Sequence, residues 1–280
     1  MVRVRNPDKC AYGNPGKNGS CLTSAAMLKA IDTWNELHPD DMVKRSITSW
    51  KELARRFQDS CNSDRCALRA ALGRRAEPLE STIFAPLPPK SWDDNPETWL
   101  NSTDISRVMG QVESFFQEFL FLGPFPIDFA SRARESSCVS PPLCRFTVSS
   151  LFKRGKSKLG VILNLDKHYQ PGSHWVALWF HPAAGEIVYF DSTGDPAPPE
   201  VKKFMARLVS ESAALGYNMS PKVSTTEHQL ENNECGMYAI HFLESLASGS
   251  KSIDDFLARK RITDNDMSEL RGTFFQLRND

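Results

Sequence analysis

The chain has 280 residues, 40% of them hydrophobic and 24% charged, and its 34 Lys and Arg balance 34 Asp and Glu. That length accommodates one large domain, or a catalytic domain with a smaller companion. Zero net charge excludes the overall basic excess of a nucleic-acid binder and leaves only a local patch for that role. No apolar run approaches the ~20 residues of a bilayer span, and MVRVRNPDKC lacks the apolar segment of a secretory signal. The chain therefore reads as soluble, non-secreted and without a membrane partner. Its seven cysteines, an odd number without a signal, argue against a disulfide framework and for a reducing compartment.

In chain order, residues 1–20 are polar and rich in Gly, Asn and Lys and read as a loosely held arm. Helical spacing of apolar residues predicts helices over 22–37 and over 47–58, the latter with Trp50, Leu53 and Phe57 on one face. This helical region ends near residue 80, and the Pro-rich stretch 81–98 reads as an extended connector. A helix follows with Asp104 near its N-cap. Its stripe runs through Ile105, Val108, Met109, Val112, Phe115, Phe116 and Phe119.

The second half is different. Segments 159–165, 173–180 and 186–192 are rich in β-formers and predict successive strands, with a hairpin turn near 181–185. A helix over 198–214, a short strand within 222–226 and a mostly apolar, buried helix over 235–248 come next. Two more helices, 252–259 and 264–276, close the chain. Helices before and after a sheet give an α+β class.

Cys235 opens an apolar helix behind the polar run Glu231 to Glu234. A lone cysteine in such a place is ordinarily core. A free thiol is only a few per cent ionised at neutral pH, and a helix N-terminus and a nearby imidazolium both favour the thiolate. His174 at a strand start and Asp191 at the end of the next strand fall at the same end of a hairpin. A carboxylate there orients the imidazole. Gln229, six residues before Cys235, supplies an amide donor that, with the Cys235 N–H, can receive an oxyanion. His168 is the rival base but lacks an adjoining strand pattern. His181 and His228 read as bystanders, and the spacings of Cys61, Cys66, Cys138 and Cys144 are too loose to indicate zinc.

Three segments carry a resemblance: Gly172-Ser173-His174-Trp175, Tyr189-Phe190-Asp191-Ser192, and Gln229 through Cys235-Gly236-Met237. Their order and spacing resemble the SUMO-protease family of cysteine peptidases, also called ubiquitin-like-protein proteases, which includes the adenovirus protease and enzymes of large DNA viruses. Trp99-Leu100-Asn101-Ser102-Thr103-Asp104-Ile105 resembles the family's W-L-N-D start, with one residue more. The resemblance covers roughly 96–245. Cys21 before a helix, Thr33-Trp34-Asn35, Ser49 to Leu53, Cys61 to Cys66, Phe121 to Phe129 and Asn164 to His168 resemble the viral enzymes and their helical extension.

The resemblance implies a papain-like α+β peptidase with a central mixed sheet flanked by helices at 96–280, behind a helical extension and connector at 1–95. It implies cleavage after Gly-Gly or similarly small pairs, with Trp175 and Trp99 walling a narrow substrate tunnel, and it calls for no cofactor and no metal. The partner is a protein substrate. Processing of viral structural polyproteins, in host cytoplasm or virion, is favoured; removal of SUMO-like modifiers is the rival. Acetyl transfer on the same Cys-His framework and a binding module with a dead site are further alternatives.

Overall fold

The computed structural model describes residues 8–132 and 137–277. The chain forms two compact units, one of Met1–Pro88 with Gly272–Asp280 and one of Pro89–Arg271.

The first unit is built from short helices whose starts are written into the sequence. Thr23 caps α1 (Ser24–Leu37), Ser46 caps α2 (Ile47–Arg55) and Ser63 caps α3 (Asp64–Leu72). Each hydroxyl accepts a first-turn N–H that has no intrahelical partner. With α4 (Glu77–Ile83) they close over Ile31, Trp34, Trp50, Leu53, Leu68 and Phe84. Residues 8–20 are not a loose arm, and residues 1–7 lie outside the described residues. Ala11 is buried and its N–H donates to Ile83 O at 2.9 Å, while Lys17 and Ser20 exchange backbone bonds at 2.8 and 3.1 Å. Asn18 and Gly19 between them both have positive φ, 53° and 74°, the conformation a two-residue hairpin turn requires.

The cysteines also depart from the expectation. Six of the seven pair as Cys10–Cys21, Cys61–Cys66 and Cys138–Cys144, with Cα atoms 5.1, 5.3 and 6.6 Å apart. Each pair closes a local loop of 5 to 11 residues, so turns bring the partners within disulfide reach. Cys235 is the one free cysteine.

The second unit begins with α5 (Ser102–Phe115). Its N-cap is Asn101, with Asp104 close by at the third helical position, as expected. Asn101 Oδ1 accepts the N–H groups of Thr103 and Asp104, and Asp104 returns a bond to the Asn101 N–H at 3.0 Å, a capping box. The helix stops at Phe115, and Phe119 opens β1 (Phe119–Pro126). Next come α6 (Pro141–Cys144), α7 (Val148–Lys153), β2 (Lys158–Asn164), β3 (Trp175–His181), β4 (Glu186–Phe190), α8 (Pro199–Ala214) and β5 (Ser220–Val223). The chain ends in α9 (Cys235–Ser248), α10 (Ile253–Leu257) and α11 (Asp264–Phe274).

The five strands lie in order β1-β2-β3-β4-β5. The outer pairs are parallel and the two inner ones antiparallel, so the sheet is mixed and helices flank it. Alternation sends Val176, Leu178 and Phe180 into a core shared with Leu151 of α7 and Val201 and Leu208 of α8. On the other face Trp179 stacks on Phe119, and Phe190 on Phe242 of α9 with centroids 4.6 Å apart. Twelve of the fourteen α9 residues are buried, which is why this helix is apolar all round. It forms the centre of the unit, and its first residue is Cys235.

Candidate active site

β3 and β4 pair antiparallel from His181↔Glu186 to Ala177↔Phe190. Continuing that ladder brings the residues before β3 and after β4 to one end of the hairpin. His174 Nε2 there meets Asp191 Oδ1 at 2.6 Å. The His174 carbonyl accepts the Leu165 N–H at 2.9 Å, which pins its backbone beside β2.

Asp191 is fully buried and saturated with donors. Oδ1 also receives the Thr193 N–H at 3.0 Å and the Thr193 hydroxyl at 2.8 Å, and Oδ2 receives the Tyr189 hydroxyl at 3.3 Å. Burial alone drives its carboxyl upward. The hydrogen bond and charge of His174 and the donors from Thr193 outweigh that and hold its pKa below the usual carboxylate range. Tyr189 is shifted strongly upward by burial and by the Asp191 charge, so its hydroxyl stays a donor.

The Cys235 thiol lies close enough to the same imidazole to influence its charge. Burial disfavours the imidazolium, but the bonds to Asp191 and Cys235 and their charges overcome it and raise the His174 pKa to about 10. Cys235 is buried at the N-terminus of α9, where backbone N–H groups lack intrahelical acceptors and the helix dipole favours a negative sulfur. Glu234, just before it, is locked to Arg271 at 2.9 Å, and both side chains are buried. Arg271 also donates to Pro96 O and Thr98 O and lies 4.4 Å over the Trp92 ring. One guanidinium thus fixes the start of α9 against the segment that carries Trp99.

Gln229 is buried and reaches the end of β4. Its N–H donates to Ser192 O at 2.8 Å, and its Oε1 accepts the Ser192 hydroxyl at 2.7 Å. Its amide nitrogen donates to the Glu231 carbonyl, which sets the amide orientation and leaves one N–H over. Trp175 is buried, with its indole N–H on Leu100 O at 2.9 Å. A Cβ on Gly236 would stand 3.1 Å from Leu100 Cβ and 3.3 Å from Trp175 Cδ1, so the residue after Cys235 has little room for a side chain. Trp99 is 44% exposed and lines, with Trp175, His168 and Gly172, a groove of about 550 Å³.

His174, Asp191 and Cys235 therefore come together, Gln229 joins them through Ser192, and Trp99 and Trp175 share one groove. Tyr189, Thr193, Ser192 and the Leu100 carbonyl went unrecognised in the sequence. Only the Asp-Ser-Thr run carried a signal, as turn residues whose side chains and N–H groups bond locally. The remaining histidines have other partners. His168 Nδ1 bonds Asp128 at 2.7 Å, and His228, fully buried, bonds Phe256 O and the Ile262 N–H. Burial, together with the nearby Arg261 charge and against the Phe256 bond, lowers the His228 pKa.

The Ulp1 protease family's C-terminal catalytic domain matches residues 154–278. A protein of Acanthamoeba polyphaga mimivirus named as a thiol protease is 25% identical over 81% of this chain and 73% of its own length. A cysteine protease of African swine fever virus is 30% identical over 45% of this chain and 46% of its own length. The crystal structure of a selenomethionine form of that virus's protease superposes with a TM-score of 0.67, covering 98% of this chain and 97% of that one at 19% identity. The chain is a cysteine peptidase. Its residues 154–278 are similar to the Ulp1 protease family's catalytic domain, and viral thiol proteases are among the proteins it resembles. Among the described residues, no helix is long and apolar enough to cross a membrane.

Proposed function

We propose that Cys235 is the nucleophile of an endopeptidase that cuts after small residues of the Gly-Gly kind, with His174, Asp191 and Gln229 completing the catalytic group. The observation that carries this reading is the His174 imidazole, joined to Asp191 by one nitrogen and within reach of the one free cysteine. Asp191 orients the ring and stabilises the imidazolium, so the thiol proton is held on His174. The thiolate adds to the substrate carbonyl. The oxyanion takes the Cys235 N–H and the remaining amide N–H of Gln229. The imidazolium then gives its proton to the leaving amine, and water, deprotonated by His174, hydrolyses the thioester.

The tight packing of Leu100 and Trp175 around Gly236 supports a narrow approach to the sulfur, which suits residues without large side chains. The viral relatives support processing of structural polyprotein precursors during particle assembly, in the host cytoplasm or the virion. Removal of a SUMO-like modifier is the second reading, favoured by the name SUMO-1 cysteine protease given to some African swine fever virus relatives.

The test incubates wild type and Cys235→Ala with Gly-Gly peptides and with modifier conjugates. Cleavage of peptides alone supports precursor processing, and cleavage of conjugates supports deconjugation. Activity that survives Cys235→Ala contradicts the mechanism.

A further inference from the structure

The first unit contains a cavity of about 740 Å³ that the proposed chemistry does not use. Its walls come from the segment Asn14 to Ser20 with its hairpin, the first turn of α1, one face of α2 and Asp64 at the start of α3. The α2 contribution follows helical spacing, with Ile47, Trp50 and Ala54 on one stripe and Lys51 and Arg55 beside it. The walls are held in place before any ligand arrives. The Cys10–Cys21 disulfide closes the loop that carries the hairpin, just before α1, and Asn14 Nδ2 donates to Cys21 O at 2.9 Å.

Two properties of the lining point to one class of ligand. Its floor is apolar, from Met27, Leu22 and a Trp50 that is 2% exposed, with the more open Ile47 beside them. Its rim is basic. Lys17, Lys51 and Arg55 are exposed, and none has an ion-pair partner among the described residues. The one acid in the lining, Asp64, already accepts the Ser20 hydroxyl. A nucleic-acid backbone would gain nothing from the apolar floor, and Trp50 is too deeply buried to stack a base. A polypeptide satisfies both halves, because one side chain can enter the floor while its neighbours meet the rim.

We propose that this cavity binds a partner protein through an extended segment that sets a large apolar side chain between Asp or Glu residues. The apolar group packs on Ile47 over the exposed edge of Trp50, and the acids pair with Lys17, Lys51 and Arg55. This inference does not depend on the roles assigned around Cys235.

The test uses the full chain carrying Cys235→Ala, so that no probe is cut. A random dodecapeptide display library is selected on it, with counter-selection on the same protein bearing Lys51→Glu and Arg55→Glu. Enrichment of sequences with Leu, Ile, Met or an aromatic flanked by Asp or Glu is expected. A synthetic peptide of the enriched sequence should bind about tenfold more weakly to the charge-reversed protein and to Ile47→Asp, and more weakly in high salt. Both reversed residues are exposed, so the circular dichroism spectrum and unfolding midpoint should not move, which separates lost binding from lost fold. Failure to enrich any sequence over the counter-selection, enrichment of basic sequences, or binding of a dT20 oligonucleotide that the same reversals abolish overturns the proposal.

Discussion

Two histidine–carboxylate pairs have their histidines six residues apart in this chain, and only one of them is the proposed catalytic pair. His168 bonds Asp128 at 2.7 Å, and His174 bonds Asp191 at 2.6 Å. Geometry within the pairs hardly distinguishes them; surroundings do. The His168 side chain is 50% exposed at the rim of the groove, although its partner Asp128 is buried. The His174 side chain is 18% exposed, its carboxylate is fully buried and held by Thr193 and Tyr189, and a thiol stands within reach of its ring. Burial would by itself discharge His174, yet two partners keep it charged to about pH 10. An imidazole becomes a base for a thiol through what stands on both of its sides and through exclusion of water, more than through pairing alone.

Removing the two rings is the strongest way to break this contrast. His174→Ala should cost on the order of 10⁶-fold in kcat, whereas His168→Ala, at a half-exposed position, should stay within about threefold; peptide hydrolysis by both variants decides it. Neutralising the two carboxylates comes next. Asp191→Asn should lower kcat by about 10⁴-fold and Asp128→Asn by little. The pH profile follows from the direction of the His174 shift. The folded-state pKa of His174 is raised, so its imidazolium is present at neutral pH and is lost as pH rises through about 10. The alkaline limb of kcat/KM should therefore stand near pH 10 in wild type and move toward neutrality in Asp191→Asn, with no such movement in Asp128→Asn.

Two smaller effects sharpen the account. Gln229→Ala should reduce kcat by about 10²-fold with KM nearly unchanged, the signature of a donor used in the transition state. Thr193→Val removes one of the bonds to Asp191 and should cost about tenfold, seen as a lower kcat and a lower pH for the alkaline limb. Loss of stability without change in the limb would assign Thr193 to packing alone.

The candidate site was legible because its residues keep their order and type. His174 before a β-rich run, Asp191 after the next, and Gln229 six residues ahead of Cys235 are all visible in one dimension, and the antiparallel hairpin supplies the rest. Strands β2 to β4 were visible for the same reason, since buried strands are rich in branched and aromatic residues. β1 was hidden because Phe115, Phe116 and Phe119 continue the helical spacing of α5, while the backbone leaves the helix at Phe116. α3 was hidden because its buried face is partly Ala67 and Ala71, which give little contrast in hydrophobicity. The His168–Asp128 pair joins residues 40 apart, and nothing local announces it. The disulfides were missed because an odd cysteine count says nothing about which turns bring two sulfurs together.

The most direct measurement is covalent capture. A peptide ending in a Gly-Gly vinyl ester is incubated with wild type, His168→Ala and His174→Ala, and the modified residue is read by peptide mass spectrometry. One adduct on Cys235 is expected, at equal rate in wild type and His168→Ala and slowed by several orders of magnitude in His174→Ala. Labelling at another residue, or capture at Cys235 that is slowed by loss of His168 and indifferent to loss of His174, would contradict the account.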